Sequence, residues 1–279
     1  MANSTLYRFA AFSDSADGGN PAGIWLGEEL PSEPEMQAIA AEVGYSETAF
    51  ITPTTGKIKT VRYFSPEAEV PFCGHATIAS GVVLGRLEGA GSYVFATVAG
   101  DVTVVVENDG TRWIASLTSV DTKQQAATGA LLSAALDALG WSKDDLDQSI
   151  PPICAYGGAW HLVLVVKKRE RLANLSYNFE QLKALMLEHD LTTLELIWKE
   201  SEDVFHSRNP FPVGGVVEDP ATGAAAAAFG GYLRDSHLMS PPLSIRIHQG
   251  DDMGRPSLLS VSIPESGGVT VSGTAVEID

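Results

Sequence analysis

Two stretches govern the fold: Glu69-Val70-Pro71-Phe72-Cys73-Gly74-His75-Ala76-Thr77-Ile78-Ala79 and Glu218-Asp219-Pro220-Ala221-Thr222-Gly223-Ala224-Ala225-Ala226-Ala227-Ala228. They stand 149 residues apart; glutamate meets glutamate, glycine meets glycine, and alanine continues beyond each glycine. Each reads as an extended segment, a tight glycine turn and a helix of small residues. A second match, Val98-Ala99-Gly100-Asp101 against His248-Gln249-Gly250-Asp251, lies at an offset of 150. One such match would be chance. Two in nearly the same register imply a duplicated unit of about half the chain, because solenoid repeats are far shorter.

On either side of these stretches, β-type runs alternate with helical ones. Strands are predicted at Leu6–Phe12, Gly23–Leu26, Glu47–Thr52, Lys57–Phe64, Ser92–Val98, Asp101–Glu107 and Thr111–Leu117. Gly19-Asn20-Pro21 reads as a turn. Later strands fall at Ala159–Lys167, Thr193–Lys199, Val204–Asn209, Leu243–His248, Leu258–Ile263 and Gly268–Ile278. Helices fall at Glu33–Val43, Gly74–Leu87, Leu131–Leu139, Phe179–Asp190 and Thr222–Asp235. The polar stretch Thr118–Thr128 is the natural boundary, so domains 1–120 and 121–279 are expected, with the C-terminal strand free to pack back on the first.

Composition narrows the class of function. The 279 residues are 44% hydrophobic and 19% charged, which is globular. Lys+Arg number 18 against Asp+Glu 35, a net charge of −17. A surface this acidic repels phosphate backbones and anionic lipid, so neither nucleic acid nor a membrane is an expected partner. Two cysteines, Cys73 and Cys154, do not make a disulfide framework. No basic-then-apolar leader pattern and no bilayer-length apolar run occurs, and a cytoplasmic protein is expected.

The repeated element suits a small anion. A helix N-terminus carries unsatisfied N–H groups and partial positive charge. Two such helices, both buried because they are apolar all round, would point their starts into a cleft between the domains. Their side chains differ. The first start offers Cys73 and His75; the second offers Asp219, Thr222 and Ala224. His75 suits general acid/base work, Cys73 suits a thiolate favoured by the helix dipole, and Asp219 otherwise reads as a cap neighbour. Cys73 and His75 alone are too few ligands for a metal, so none is expected. Glu47, at the start of an apolar strand, reads as a turn residue or a proton shuttle. His161 and His248 read as structural.

The motifs, taken in order, resemble a known family. They are Gly18-Gly19-Asn20-Pro21-Ala22-Gly23, Ser46-Glu47-Thr48-Ala49-Phe50, Arg62-Tyr63-Phe64-Ser65-Pro66, the two glycine-led helix starts, Gln249-Gly250-Asp251-Asp252-Met253-Gly254-Arg255-Pro256-Ser257 and Val271-Ser272-Gly273-Thr274-Ala275-Val276. Over Phe9 to Val276 the chain is similar to the phenazine-biosynthesis PhzF-like family. That resemblance implies an α/β (α+β) fold like diaminopimelate epimerase. In it, two pseudo-symmetric domains each wrap a curved mixed β-sheet half-barrel around one central helix. It implies isomerase chemistry without a cofactor, in a homodimer. In the best-understood branch, a glutamate moves a proton along a dihydro-hydroxyanthranilate ring. Glu47 matches that glutamate, and His75 and Asp219 match the other polar site residues. Gly74 and Gly223 match the positions whose N–H groups hold a substrate carboxylate, and Asn20, Cys73, Thr222 and Ala224 line the site.

One departure matters. The family often has serine where this chain has Ala224. A lost hydroxyl partner costs about 1–3 kcal/mol in a buried site, so a different substrate is expected. The related epimerases use one cysteine from each half, and Ala224 excludes that two-thiol mechanism. The expectation is a cofactor-independent isomerase of a small carboxylate, with Glu47 as acid/base. The alternatives are a one-base amino-acid or hydroxy-acid epimerase, and a ligand-binding homologue without turnover.

Overall fold

The computed structural model describes Ser4–Asp279; residues 1–3, which open the expected first domain, lie outside the described residues. The chain divides into two compact units, Met1–Thr118 with Ser272–Asp279, and Ser119–Val271. The first holds β1 (Ser4–Ala11), β2 (Asn20–Gly27), α1 (Glu33–Val43), β3 (Glu47–Pro53), β4 (Ile58–Phe64), β5 (Glu69–Val70), α2 (Gly74–Glu88), β6 (Gly91–Thr97), β7 (Gly100–Asn108) and β8 (Trp113–Thr118). The second holds β9 (Lys123–Ala126), α3 (Gly129–Leu139), β10 (Ile153–Tyr156), β11 (Trp160–Val166), α4 (Arg169–Ala173), α5 (Phe179–Glu188), β12 (Thr193–Lys199), β13 (Val204–Pro210), β14 (Glu218–Asp219), α6 (Gly223–Asp235), β15 (Leu243–Gln249) and β16 (Ser257–Ile263). A last strand, β17 (Thr270–Glu277), joins the first unit.

In the first unit the strands close on themselves. β1 pairs β2 antiparallel, β2 pairs β3 parallel, β3 pairs β4 antiparallel and β4 pairs β6 parallel. β6, β7 and β8 then run antiparallel, β8 pairs β17, and β17 returns to β1. This eight-strand barrel surrounds α2, whose residues from His75 to Gly85 are all buried. Two glycines let the helix come close. A Cβ on Gly81 would stand 2.8 Å from the Ala115 methyl, and one on Gly85 would stand 2.6 Å from Val106.

The second unit repeats the plan. β10 pairs β11 antiparallel, β11 pairs β12 parallel, β12 pairs β13 antiparallel, β13 pairs β15 parallel and β15 pairs β16 antiparallel. Short β5 lies antiparallel on β4, as β14 does on β13. Helix α6 is buried from Ala225 to Arg234. Leu162, Leu164, Leu194 and Leu196, on the far side of the sheet, pack with α3 and α5 in a second core. The duplication read from the sequence is therefore a duplication of strand order and direction, as well as of helix starts.

The ladders correct several expectations. Thr60 pairs Ala96 in the first unit as His206 pairs His248 in the second. His248 thus corresponds to Ala96, two residues from the Val98 that the sequence match suggests. A slip of two keeps each side chain on the same sheet face, so composition alone does not expose it. Asn20 and Pro21 lie inside β2, opposite Ala11 and Ala10, and the turn precedes them. Proline is tolerated there because it lies in the first two residues of the strand. The polar boundary stretch holds β9, which pairs β10 although all four residues are exposed. β10 and α4 escape a sequence reading; both are too short to show a period. Among the described residues, no helix is long and apolar enough to cross a membrane.

Candidate active site

The first unit brings three predicted residues together. Cys73 is the N-cap of α2, His75 is the helix's second residue, and Glu47 opens β3. The Cys73 thiol donates to Glu47 Oε2 at 3.5 Å. His75 Nε2 stands 3.5 Å from the same oxygen, and His75 Nδ1 is 3.4 Å from Cys73 Sγ. Cys73 and His75 are buried, whereas Glu47 keeps partial access to solvent. Asn20, fully inside, opens β2 two residues before Ala22, the ladder partner of Glu47. Ser46, which the sequence presents only within a motif, adds its hydroxyl 3.4 Å from His75 Nε2.

The surroundings pin this start. Thr77 gives its one hydroxyl proton to the Cys73 carbonyl at 2.7 Å. It must therefore accept from the buried Tyr63 phenol, 2.6 Å away. Arg62 clasps Glu69 through Nε and Nη2, both at 2.6 Å, and holds its carboxylate below the usual range. The thiol, one ring nitrogen and one carboxylate oxygen lie within 4.8 Å of one another. Sequence reasoning counts two metal ligands here. The fold brings Glu47 as a third, a set that suits a transition metal chemically.

The second unit builds its start differently. Thr222 is the N-cap of α6 and donates to Asp219 Oδ2 at 2.5 Å. Gln249 accepts from the Thr222 N–H at 3.0 Å and donates to the Asp219 carbonyl at 2.8 Å. Gln249 is thus the clamp of this loop, a role no local pattern announces. Position for position, Cys73 corresponds to Thr222 and His75 to Ala224. A second thiol would therefore stand at Thr222 and not at Ala224 as the sequence reading has it, and the threonine there is what excludes a two-thiol mechanism. Thr193, which pairs with β11 as Glu47 pairs with β2, takes the place of Glu47. The cluster of carboxylate, thiol and imidazole therefore belongs to the first unit, while the second keeps hydroxyls and Asp219 at the same places.

Both starts leave their first N–H groups without a side-chain cap from the N-cap residue. Three other helices are closed by side chains, Thr128 capping α3, Asn178 capping α5 and Glu35 closing back onto Ser32 before α1, whereas the five-residue α4 is also without a cap. Uncapped N–H groups at glycine, where a ligand can come near, are what an anion site needs. Among the described residues, no heavy atom from beyond its own helix and chain neighbours lies within 4 Å of a Cβ built on Gly74.

A family profile described as phenazine biosynthesis-like protein matches residues 9–279. An uncharacterized isomerase of Bacillus subtilis, YfhB, is 31% identical, covering 99% of this chain and 97% of its own. A Bacillus anthracis protein of the PhzF family has the same fold, with TM-score 0.88 at 24% identity over 99% of this chain and 98% of its own. A hydroxyproline epimerase from Agrobacterium vitis shares the fold at TM-score 0.66 and 13% identity, over 98% and 88% of the two chains.

Proposed function

The chain belongs to the phenazine biosynthesis-like family, and on that basis we propose that it is an isomerase that moves a proton on a small carboxylate metabolite without a cofactor. One observation carries the reading. The carboxylate of Glu47, the thiol of Cys73 and the imidazole of His75 meet at the uncapped start of α2. Glu47 is the general acid/base, and it is the trio's member with access to solvent. A positioned base of this kind contributes roughly 10²–10⁴-fold to a proton transfer. Cys73 hydrogen-bonds to Glu47, His75 Nε2 stands 3.5 Å from the same oxygen, and the two orient it. The N–H groups at Gly74 and Gly223 bind carboxylate oxygen, and Asp219, held by Thr222, is the second proton-handling group. Asn20, Thr222 and Ala224 shape the surroundings of the ligand. Ala224 offers only a methyl and an N–H, so the substrate brings no group that needs a hydroxyl there.

The test is solvent exchange. Small carboxylates are incubated with the protein in D2O and followed by proton NMR. Loss of a C–H signal with wild type, and its retention with Glu47→Gln, supports the reading. Exchange that survives Glu47→Gln sinks the catalytic assignment. Exchange at a stereocentre with inversion would point instead to one-base epimerisation. Carboxylates that stabilise the protein against heat but never exchange would mark a binding protein.

A further inference from the structure

The second unit buries a polar cluster that its counterpart lacks. Thr193 and Glu195 on β12 are 1% exposed, and His161 on β11 and Asn209 on β13 are 0% exposed. His161 Nδ1 lies 2.8 Å from Thr193 Oγ1. Asn209 Nδ2 donates to Thr193 Oγ1 at 3.2 Å and to Glu195 Oε2 at 2.5 Å. Three further atoms, His161 Nε2, Glu195 Oε1 and Asn209 Oδ1, are buried with no hydrogen-bond partner among the described residues. Buried polar atoms without partners are costly, so a cluster that keeps three is not there for packing alone.

The duplication supplies the control. The ladders place Ala22, Glu47, Ala49 and Tyr63 of the first unit where the second has His161, Thr193, Glu195 and Asn209. An alanine thus serves the fold where Glu195 stands. On the same ladder, Asn209 is the direct partner of Asp219. The side chain that grips Glu195 therefore hangs from β13, at the position whose backbone pairs with that of Asp219 on β14.

Among the described residues, no cation offsets a charge on Glu195. Arg208, the neighbouring residue on β13, gives its guanidinium to Glu218 and to the Leu172 and Ala173 carbonyls. α6 has no charged side chain from Gly223 to Leu233, and Gln249 on β15 is neutral. His161 and Asp219 are the titratable groups that face it. Burial pushes His161 down to about 3. Burial pushes Glu195 up to about 8 against the Asn209 hydrogen bond, and the charge of Asp219 adds to the rise.

We propose that Glu195 is a positioning residue for Asp219: it keeps its proton, so that the one negative charge of the two carboxyls resides on Asp219, and through Asn209 it holds the strand β13 onto which the short strand of Asp219 is paired. Like charges in a shared site cannot both ionise cheaply, and separated protonation states are how two carboxyls take two roles. The role for Asp219 rests on the isomerase reading, but the coupling does not, and it is tested without substrate.

Infrared spectra and NMR titration of ¹³C-labelled glutamate carboxyls are recorded on the full chain. A protonated-carboxyl signal at neutral pH is expected in wild type and absent in Glu195→Gln. In Asp219→Asn its titration midpoint should fall by about one pH unit, as removal of a like charge requires. A buried glutamate with only a structural role would keep its midpoint in Asp219→Asn, and that result overturns the proposal. Absence of any protonated glutamate signal in wild type at neutral pH also overturns it. Should Glu195→Gln fail to fold, the wild type and Asp219→Asn titrations decide alone.

Discussion

Arg208 and Glu218 meet in two parallel hydrogen bonds, Nε to Oε1 at 2.9 Å and Nη2 to Oε2 at 2.5 Å. In the first unit Arg62 and Glu69 make the same pair with the same atoms. Each arginine lies two residues before the strand position that faces its glutamate, and each glutamate lies five residues before the helix glycine. The bridge ties the strand that leads to each helix start onto the sheet.

The two copies should differ in worth. Side-chain exposure is 11% and 4% for Arg208 and Glu218, against 25% and 24% for Arg62 and Glu69. Removing one partner of a buried pair strands a charge at a cost of about 3–5 kcal/mol, whereas a solvated pair is worth about 1 kcal/mol or less. Glu218→Ala should therefore lower stability to urea clearly more than Glu69→Ala, and replacing Arg208 and Glu218 together by apolar residues should restore part of the loss.

Two glycines should answer oppositely to alanine. At Gly157 a Cβ would stand 2.6 Å from the Ala228 nitrogen and 2.8 Å from the Ala224 carbonyl oxygen, both backbone atoms of α6. Neither can swing aside, and overpacking of this kind costs about 1–3 kcal/mol or more. At Gly74 the Cβ would meet open space. Gly157→Ala should lower the melting temperature. Gly74→Ala should leave it nearly unchanged while weakening carboxylate binding in a thermal-shift titration, because its methyl fills the approach to the α2 N–H groups.

Within the trio, the roles should separate kinetically. Glu47→Gln should reduce deuterium exchange into substrate by about 10²–10⁴-fold. Cys73→Ser keeps a donor toward Glu47 and should reduce it less. His75→Gln, which can still hydrogen-bond but cannot take up a proton, should fall between them and should change the pH profile of exchange.

Stability should respond to pH through two buried groups with opposite signs. Glu195 has its folded value raised from 4.5 to about 8. The native state then binds more protons than the unfolded chain between those values, so stability falls as pH rises through that window. His161 has its folded value lowered from 6.5 to about 3, so stability falls as pH drops from about 6.5 toward 3. Each proton difference is worth about 1.4 kcal/mol per pH unit. Thermal melts across this range should show both slopes, with Glu195→Gln flattening the first and His161→Gln the second.

Legibility in the sequence depends on how far each physical cause reaches along the chain. The glycine-led helices are legible because Gly74 and Gly223 each introduce a run of small residues, and their common spacing from Glu69 and Glu218 announces a copy. That those starts are candidates for an anion is legible too, since the first N–H groups of any helix have no partner within the helix. The convergence of Glu47 on Cys73 and His75 is not: 26 residues of chain separate Glu47 from Cys73, and resemblance to a family names them together without their contact.

Composition and periods a few residues long are enough to dictate a duplicated α/β unit with a buried central helix, an acidic surface and unequal chemistry at the two helix starts. Three relations had to wait for the folded chain: which carboxylate meets which thiol, the clamp of Gln249 on the Asp219 loop, and the enclosure of Glu195 with His161 and Asn209. They are set by ladder register between distant strands. A one-residue change in register turns every side chain to the other face, and nothing within a single strand records it.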